Sequence, residues 1–126
     1  MNKKKLIETC LISEDAIETY PFKDKTYEDY AVIRHKSNEK WFALVFFLEK
    51  TLFINLKCSP IDASVLREMY SFITPAWHMN KKHWISVYFN QDVPEKKIKE
   101  LVKKSYDIVV KSLTKKEREA LANFEE

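Results

Sequence analysis

The chain contains no glycine, and that absence constrains both its turns and its chemistry. A GxxxxGK[ST] phosphate loop and a GxGxxG dinucleotide turn both need backbone that a Cβ would obstruct. P-loop hydrolysis and Rossmann cofactor binding are therefore set aside, and no nucleotide cofactor is expected. Tight turns must be made by Asn, Asp, Ser and Lys instead.

At 126 residues the chain is expected to form one domain spanning 1–126. Such a domain buries about two thirds of the surface that its unfolded chain exposes. With 45% hydrophobic and 13% aromatic residues, it can build a core without disulfides or metal. Cys10 and Cys58 are too few and too far apart for a disulfide framework, so they read as reduced thiols in a cytoplasmic protein. The N-terminal MNKKKLIETCLISED starts basic, but Glu8 and Thr9 interrupt its apolar residues; it reads as a helix start, not a signal peptide. The longest apolar run, WFALVFFL at 41–48, is far too short for a membrane span.

Apolar periodicity orders the elements. Residues 2–12 predict a helix with Leu6, Ile7, Cys10 and Leu11 on one face. Ser13–Tyr20 predicts a second short helical turn, N-capped by Ser13 and stopped by Pro21. Three strands follow at Tyr30–His35, Trp41–Leu48 and Leu52–Lys57, joined by short turns at 37–40 and 49–50 and hence antiparallel. The middle strand is apolar on both faces, as suits a strand covered on both sides. In the third, Leu52, Ile54 and Leu56 share one face, and Phe53, Asn55 and Lys57 the other.

Pro60–Tyr70 predicts a helix with Ser59 as N-cap and Val65, Leu66, Met69 and Tyr70 as its apolar face. Trp84–Phe89 predicts a further strand. A long helix runs from Pro94 to about Leu113, with Ile98, Leu101, Val102, Ser105, Tyr106, Val109 and Leu113 as its stripe and Lys96, Lys97, Lys103, Lys104 and Lys111 opposite. Thr114 and Glu117 form a capping box for a last short helix to about Phe124. The expected architecture is α+β: a two-layer domain with an antiparallel sheet and helices packed mainly on one face.

The stretch HMNKKHW, His78–Trp84, carries the functional question. If Met79–Lys82 is a turn between two antiparallel strands, His78 faces His83 and Trp77 faces Trp84, histidines on one side and tryptophans on the other. Asn80 suits a φ > 0 position, and Lys81 and Lys82 project at the tip. The segment is then a packed corner, a nucleic-acid-contacting wing, or a zinc site; the last lacks a third ligand nearby in sequence. The charge distribution is compatible with the wing. Residues 1–77 hold 11 Lys/Arg against 11 Asp/Glu, whereas residues 78–118 hold 11 against 5. A solvated lysine-rich helix face is the plain alternative.

PAWHMNKKHW at 75–84 resembles the signature stretch of the MmcQ/YjbR-like family of small bacterial proteins. YPFKD at 20–24, KWFALV at 40–45, INLKCSP at 54–60, LREMY at 66–70 and SYDIVVKSL at 105–113 agree in order and spacing, so the resemblance covers about Ile17–Leu113. It implies an α-β(3)-α-β(2)-α fold similar to type III secretion chaperones, and a double-wing arrangement with a predicted DNA-binding role. The matching residues Lys57, His78, Asn80, Lys81, Lys82, His83 and Trp84 would then carry the binding. Ser105, Tyr106 and Asp107 match as well. Members usually carry Gly where this chain has Lys23, Ala76 and Glu39 or Lys40, so those turns are expected to differ.

Each of these residues also has a plainer role. Ser105 would bond back to a carbonyl of its own helix, Asp107 would pair with Lys103, Lys104 or Lys111, and Lys57 would keep a sheet edge soluble. Two functions compete: a DNA-binding module, and a protein-interaction or chaperone-like domain, including a homodimer. An enzyme is not expected. Cys58 could serve as a thiol nucleophile with His78 or His83 as its base, but nothing in their spacing brings them together. No metal, cofactor or membrane partner is expected.

Overall fold

A computed structural model describes residues 1–37 and 39–111. Helix α1 (Lys3–Cys10) precedes strands β1 (Ala16–Thr19), β2 (Ala31–His35), β3 (Trp41–Leu48) and β4 (Thr51–Lys57). Helix α2 (Pro60–Met69), strands β5 (Ile73–Pro75) and β6 (Trp84–Tyr88) and helix α3 (Glu95–Lys111) follow. The strands form one antiparallel sheet in the order β1-β2-β3-β4-β6-β5. The α+β architecture with helices on one face is as expected. Among the described residues, no helix is long and apolar enough to cross a membrane. The last predicted helix, with Leu113, lies outside the described residues.

Local chemistry sets the helix starts. Asn2 Oδ1 accepts the Lys5 N–H at 2.8 Å. Ser59 Oγ accepts the Asp62 N–H at 3.2 Å, and Pro60 opens α2 with its fixed φ. The stripe Ile98, Leu101, Val102, Ser105, Tyr106 and Val109 of α3 is buried as its period predicts.

The predicted helical turn at 13–20 is instead a tight turn followed by edge strand β1. Ser13 does not cap a helix. Its hydroxyl accepts the Asp15 N–H at 3.2 Å and meets the Tyr106 hydroxyl at 2.9 Å. The free edge of β2 then takes residues 16–19 as a sixth strand, a pairing partner that local propensity cannot register. The sheet therefore has four strands before α2, not three.

Helix α2 also departs from expectation. Leu66 and Tyr70 pack on the core and Ala63 is buried, but Val65 and Met69 are 48% and 63% exposed. The helix touches the sheet along a narrower seam than its apolar residues suggest.

The core has two parts, one on each side of β3. The helix side holds Leu6, Ile7, Cys10, Ile33, Phe42, Val45, Ile54, Leu56, Ile85, Val87 and the α3 stripe. The opposite side holds Tyr30, Val32, Leu44, Phe46 and Phe53, overlaid by Phe22, Tyr27, Trp41, Leu48, Met79 and Tyr88. A β-bulge lets one strand serve both. Register passes from Ile33↔Ala43 to Arg34↔Trp41, so Phe42 is the unpaired extra residue, and Phe42 and Ala43 both join the helix-side core.

Ser105 closes the gap beside the bulge. Its buried hydroxyl accepts the Lys57 N–H at 2.8 Å and donates to the Phe42 carbonyl at 2.5 Å. It thus bridges the end of the β3–β4 ladder and bolts α3 to the sheet, rather than bonding back to its own helix. Deeper along α3, His35 Nδ1 lies 2.8 Å from Asp15 Oδ2, both side chains fully buried, with the His35 ring 4.5 Å from that of Tyr106. Asp15 also accepts the Ser37 N–H at 2.9 Å.

Without glycine, left-handed backbone among the described residues falls to Glu39 (φ 63°), Glu49 (φ 49°), Lys50 (φ 69°) and His78 (φ 62°). Glu39 occupies a position at which family members were expected to carry Gly. Glu49 and Lys50 form the two-residue β3–β4 turn, both with φ > 0, where Asn-Gly is ordinarily favoured.

Two predictions follow from these features. Lys50→Gly removes a Cβ clash in the left-handed region and should raise stability by about 1 kcal/mol, read as a higher midpoint of urea unfolding. Ser105→Ala strands a buried N–H and a buried carbonyl and should cost about 2–4 kcal/mol by the same assay. A loss below about 0.5 kcal/mol would mean that the strands close without the bridge.

Candidate functional site

The 76–83 segment is not the regular hairpin its sequence suggests. Strand β5 ends at Pro75, which pairs with Ile85, so the register runs one residue off the one that would oppose Trp77 to Trp84. Two buried side chains divert the chain. Asn55 and Ser86 face each other on β4 and β6, and Ser86 Oγ donates to Asn55 Oδ1 at 2.5 Å. Ser86 Oγ accepts the Trp77 N–H at 2.9 Å, and Asn55 Nδ2 donates to the Trp77 carbonyl at 2.7 Å. The backbone of Trp77 is thus held by side chains, and Pro75 has no N–H to extend the ladder.

The tryptophans consequently do not form a cross-strand pair, and the histidines do not share a face. Trp77 is 44% exposed, with its ring 5.1 Å from that of His78. His78 takes the φ > 0 position expected of Asn80 and stands 5.7 Å from the Tyr27 ring. Asn80 organises the tip differently. Its Oδ1 accepts the Lys82 N–H at 2.8 Å, and its carbonyl accepts the His83 N–H at 3.3 Å. His83 is exposed, and its carbonyl accepts the Cys58 N–H at 2.9 Å. Among the described residues, no group of three or more potential ligands could hold a metal ion.

The seven site residues therefore divide into three groups. Lys81, Lys82 and His83 form an exposed tip that Asn80 shapes. Lys57 and Trp84 pair across β4 and β6 at its base, with Lys57 Nζ 6.0 Å from the Trp84 ring centroid. His78 turns away into an aromatic pocket on the face opposite the helices.

That pocket is a cavity of about 300 Å³ lined by Phe22, Tyr27, Tyr30, Trp41, His78 and Met79, with Leu44 as its floor. Its rings meet edge to face. Phe22 lies 5.8 Å from Trp41 and 6.3 Å from Tyr30, both at 87°, and Tyr27 lies 5.2 Å from Tyr30 at 78°. Burial first and Tyr27 second push the Tyr30 hydroxyl above the ordinary phenol range, so it stays neutral. Sequence periodicity missed the pocket because Phe22 and Tyr27 lie in an irregular segment. The signal was there: four aromatic residues in the eleven from Tyr20 to Tyr30 are more than a solvated loop requires.

Electrostatics separate the tip from α3. On the helix, Lys103 pairs with Asp107 at 2.9 Å, Lys97 with Glu100 at 2.9 Å and Lys99 with Glu95 at 3.7 Å. The Lys103–Asp107 pair is one of those expected from spacing. Lys81 and Lys82 are exposed and, among the described residues, make no ion pair. Cys58 is buried, and desolvation first, then Asp62, push its thiol up, away from the lowered range of a reactive cysteine. Cys10, buried against α3, is pushed up to about 12 by burial.

Comparison with known proteins gives this geometry a family. The YjbR family profile matches residues 13–108. The chain is similar to the uncharacterized protein YjbR of Escherichia coli strain K12, 30% identical over 124 residues, covering 98% of this chain and all of that one. It is also similar to the uncharacterized protein YyaQ of Bacillus subtilis, 35% identical over 99 residues, covering 71% of this chain and 81% of that one. Among solved structures, a Deinococcus radiodurans protein superimposes with a TM-score of 0.80 at 32% identity, covering 94% of this chain and 86% of its own. The match takes in the bulged strand, the Ser105 bridge and the whole 76–84 segment, and the chain belongs to the YjbR family.

Proposed function

We propose that the 77–84 segment, with Lys57 at its base, is a nucleic-acid-binding wing on a non-enzymatic domain. The supporting observation is the contrast between two sets of lysines. Of those on α3, Lys97, Lys99 and Lys103 pair with Glu100, Glu95 and Asp107 along their own helix. Lys81 and Lys82 make no ion pair among the described residues, on a tip whose backbone is held by Asn80, Asn55 and Ser86. Two exposed cations on a held turn suit phosphate contact, because the backbone is already ordered. The exposed ring of Trp77 offers stacking surface beside them.

A second possibility rests on α2. Ile61, Val65 and Met69, spaced four apart on one stripe, are 78%, 48% and 63% exposed. Three large apolar side chains aligned on one short helix suit a protein contact, the simplest being a second copy of this chain.

Fluorescence anisotropy with short single- and double-stranded DNA at two salt concentrations tests the wing. Wild-type binding should weaken steeply with salt, and Lys81→Glu/Lys82→Glu should lower the log–log salt slope by about 2 and the low-salt affinity by at least about 10-fold. No wild-type binding at low salt, or binding indifferent to the double substitution, would remove the wing from consideration. For α2, sedimentation equilibrium should show a concentration-dependent dimer that Ile61→Glu/Met69→Glu abolishes. A wild-type protein that stays monomeric at high concentration would rule that contact out.

A further inference from the structure

We propose that the aromatic pocket receives a single unpaired nucleobase, so that the wing's ligand is single-stranded nucleic acid. This rests on the wing reading above and goes beyond it by naming the ligand's form and a second binding locus.

The wing and the pocket are one continuous piece of chain. His78 and Met79 line the pocket, and Lys81 and Lys82 follow immediately at the exposed tip. Three residues span at most about 10 Å, so a cavity for a flat apolar group and cations for a phosphate lie side by side. The cavity, about 300 Å³, is at the small end of ligand pockets and is lined mainly by rings, with Leu44 and Met79 between them. Tyr27, Tyr30, Trp41 and Phe22 present π faces and edges at near-right angles, which suits a planar aromatic guest held by stacking on one ring and edge contact with another. The His78 ring, 5.7 Å from Tyr27 at 80°, supplies a polar edge at the rim.

Charge decides which guest. A ring of aromatic faces also suits a quaternary ammonium group, but the two exposed lysines beside the rim would repel a cation and attract an anion. A base attached to its phosphate satisfies both loci together. Backbone conformation points the same way: His78 holds φ 62° without being glycine, and it is the residue at which the chain turns from pocket to tip. A paired base in a duplex presents only its groove edge and cannot enter such a cavity without leaving the stack.

The experiment compares three probes of equal length at low salt: a mixed-sequence single-stranded oligodeoxynucleotide, the same strand made abasic throughout, and the duplex. Wild-type protein should bind the base-bearing strand about 10-fold or more tighter than the abasic strand. It should also prefer that strand to the duplex. Tyr27→Ala should lower base-bearing affinity to the abasic level while leaving abasic binding and its salt dependence at wild-type values. The retained abasic binding shows that the variant is folded. Equal wild-type affinity for base-bearing and abasic strands, or a preference for duplex, overturns the pocket while leaving a phosphate-binding wing. No binding of any probe at low salt overturns both.

Discussion

Strand β3 has no polar face, and that constraint organises the molecule. Trp41, Leu44, Phe46 and Leu48 cover one side, and Phe42, Ala43 and Val45 the other. A strand of this kind has to be covered twice, and the two covers differ in kind. Helices α1 and α3 close one side with a regular apolar stripe. The other side is closed by an irregular segment, residues 20–30, which contributes rings rather than a continuous helix. A helix fills its face densely, because ridges of side chains fit grooves. Loop-borne rings meeting edge to face leave space among them, and the aromatic pocket lies in that space.

Buried polar groups then decide positions that apolar packing leaves free. Ser105 does not add apolar contact; it bridges the Lys57 N–H and the Phe42 carbonyl at a bulge where those groups would otherwise lack partners. Asn55 and Ser86 act likewise on Trp77, ending β5 at Pro75 and taking the following segment off the register of a plain hairpin. Asp15 and His35 anchor the turn before β1 against Tyr106. In each case a short buried polar side chain supplies a hydrogen-bond partner that the backbone lacks, and the chain follows the hydrogen bond.

The charge pattern gains meaning only with this geometry. A surplus of lysine after residue 77 is plain in the sequence, yet along α3 much of it is matched by carboxylates three or four residues away. The fold adds position: Lys81 and Lys82 stand at a shaped tip, Lys57 lies over Trp84 at its base, and the ring-lined cavity adjoins it.

Much was legible beforehand. Period-two and period-3.6 patterns placed β2, β3, β4, α3 and the faces of β4, because side-chain direction along a regular element follows from its own repeat. The caps at Ser59 and Pro60 are local chemistry, whereas the left-handed positions fell mostly to Glu39, Glu49 and His78 rather than to the Asn, Asp and Ser expected. The motif around residues 75–84 marked the family. Tertiary structure alone decided the rest. Edge strand β1 exists because β2 has a free edge. Val65 and Met69 stay exposed because α2 meets the sheet along a narrow seam. His78 and His83 part company because Asn55 and Ser86, distant in sequence, take hold of the Trp77 backbone. The pocket joins residues 22, 27, 30, 41 and 78, which no periodicity links. A sequence determines what each residue prefers within a few neighbours, whereas a site made by the meeting of distant segments exists only once the whole sheet has closed.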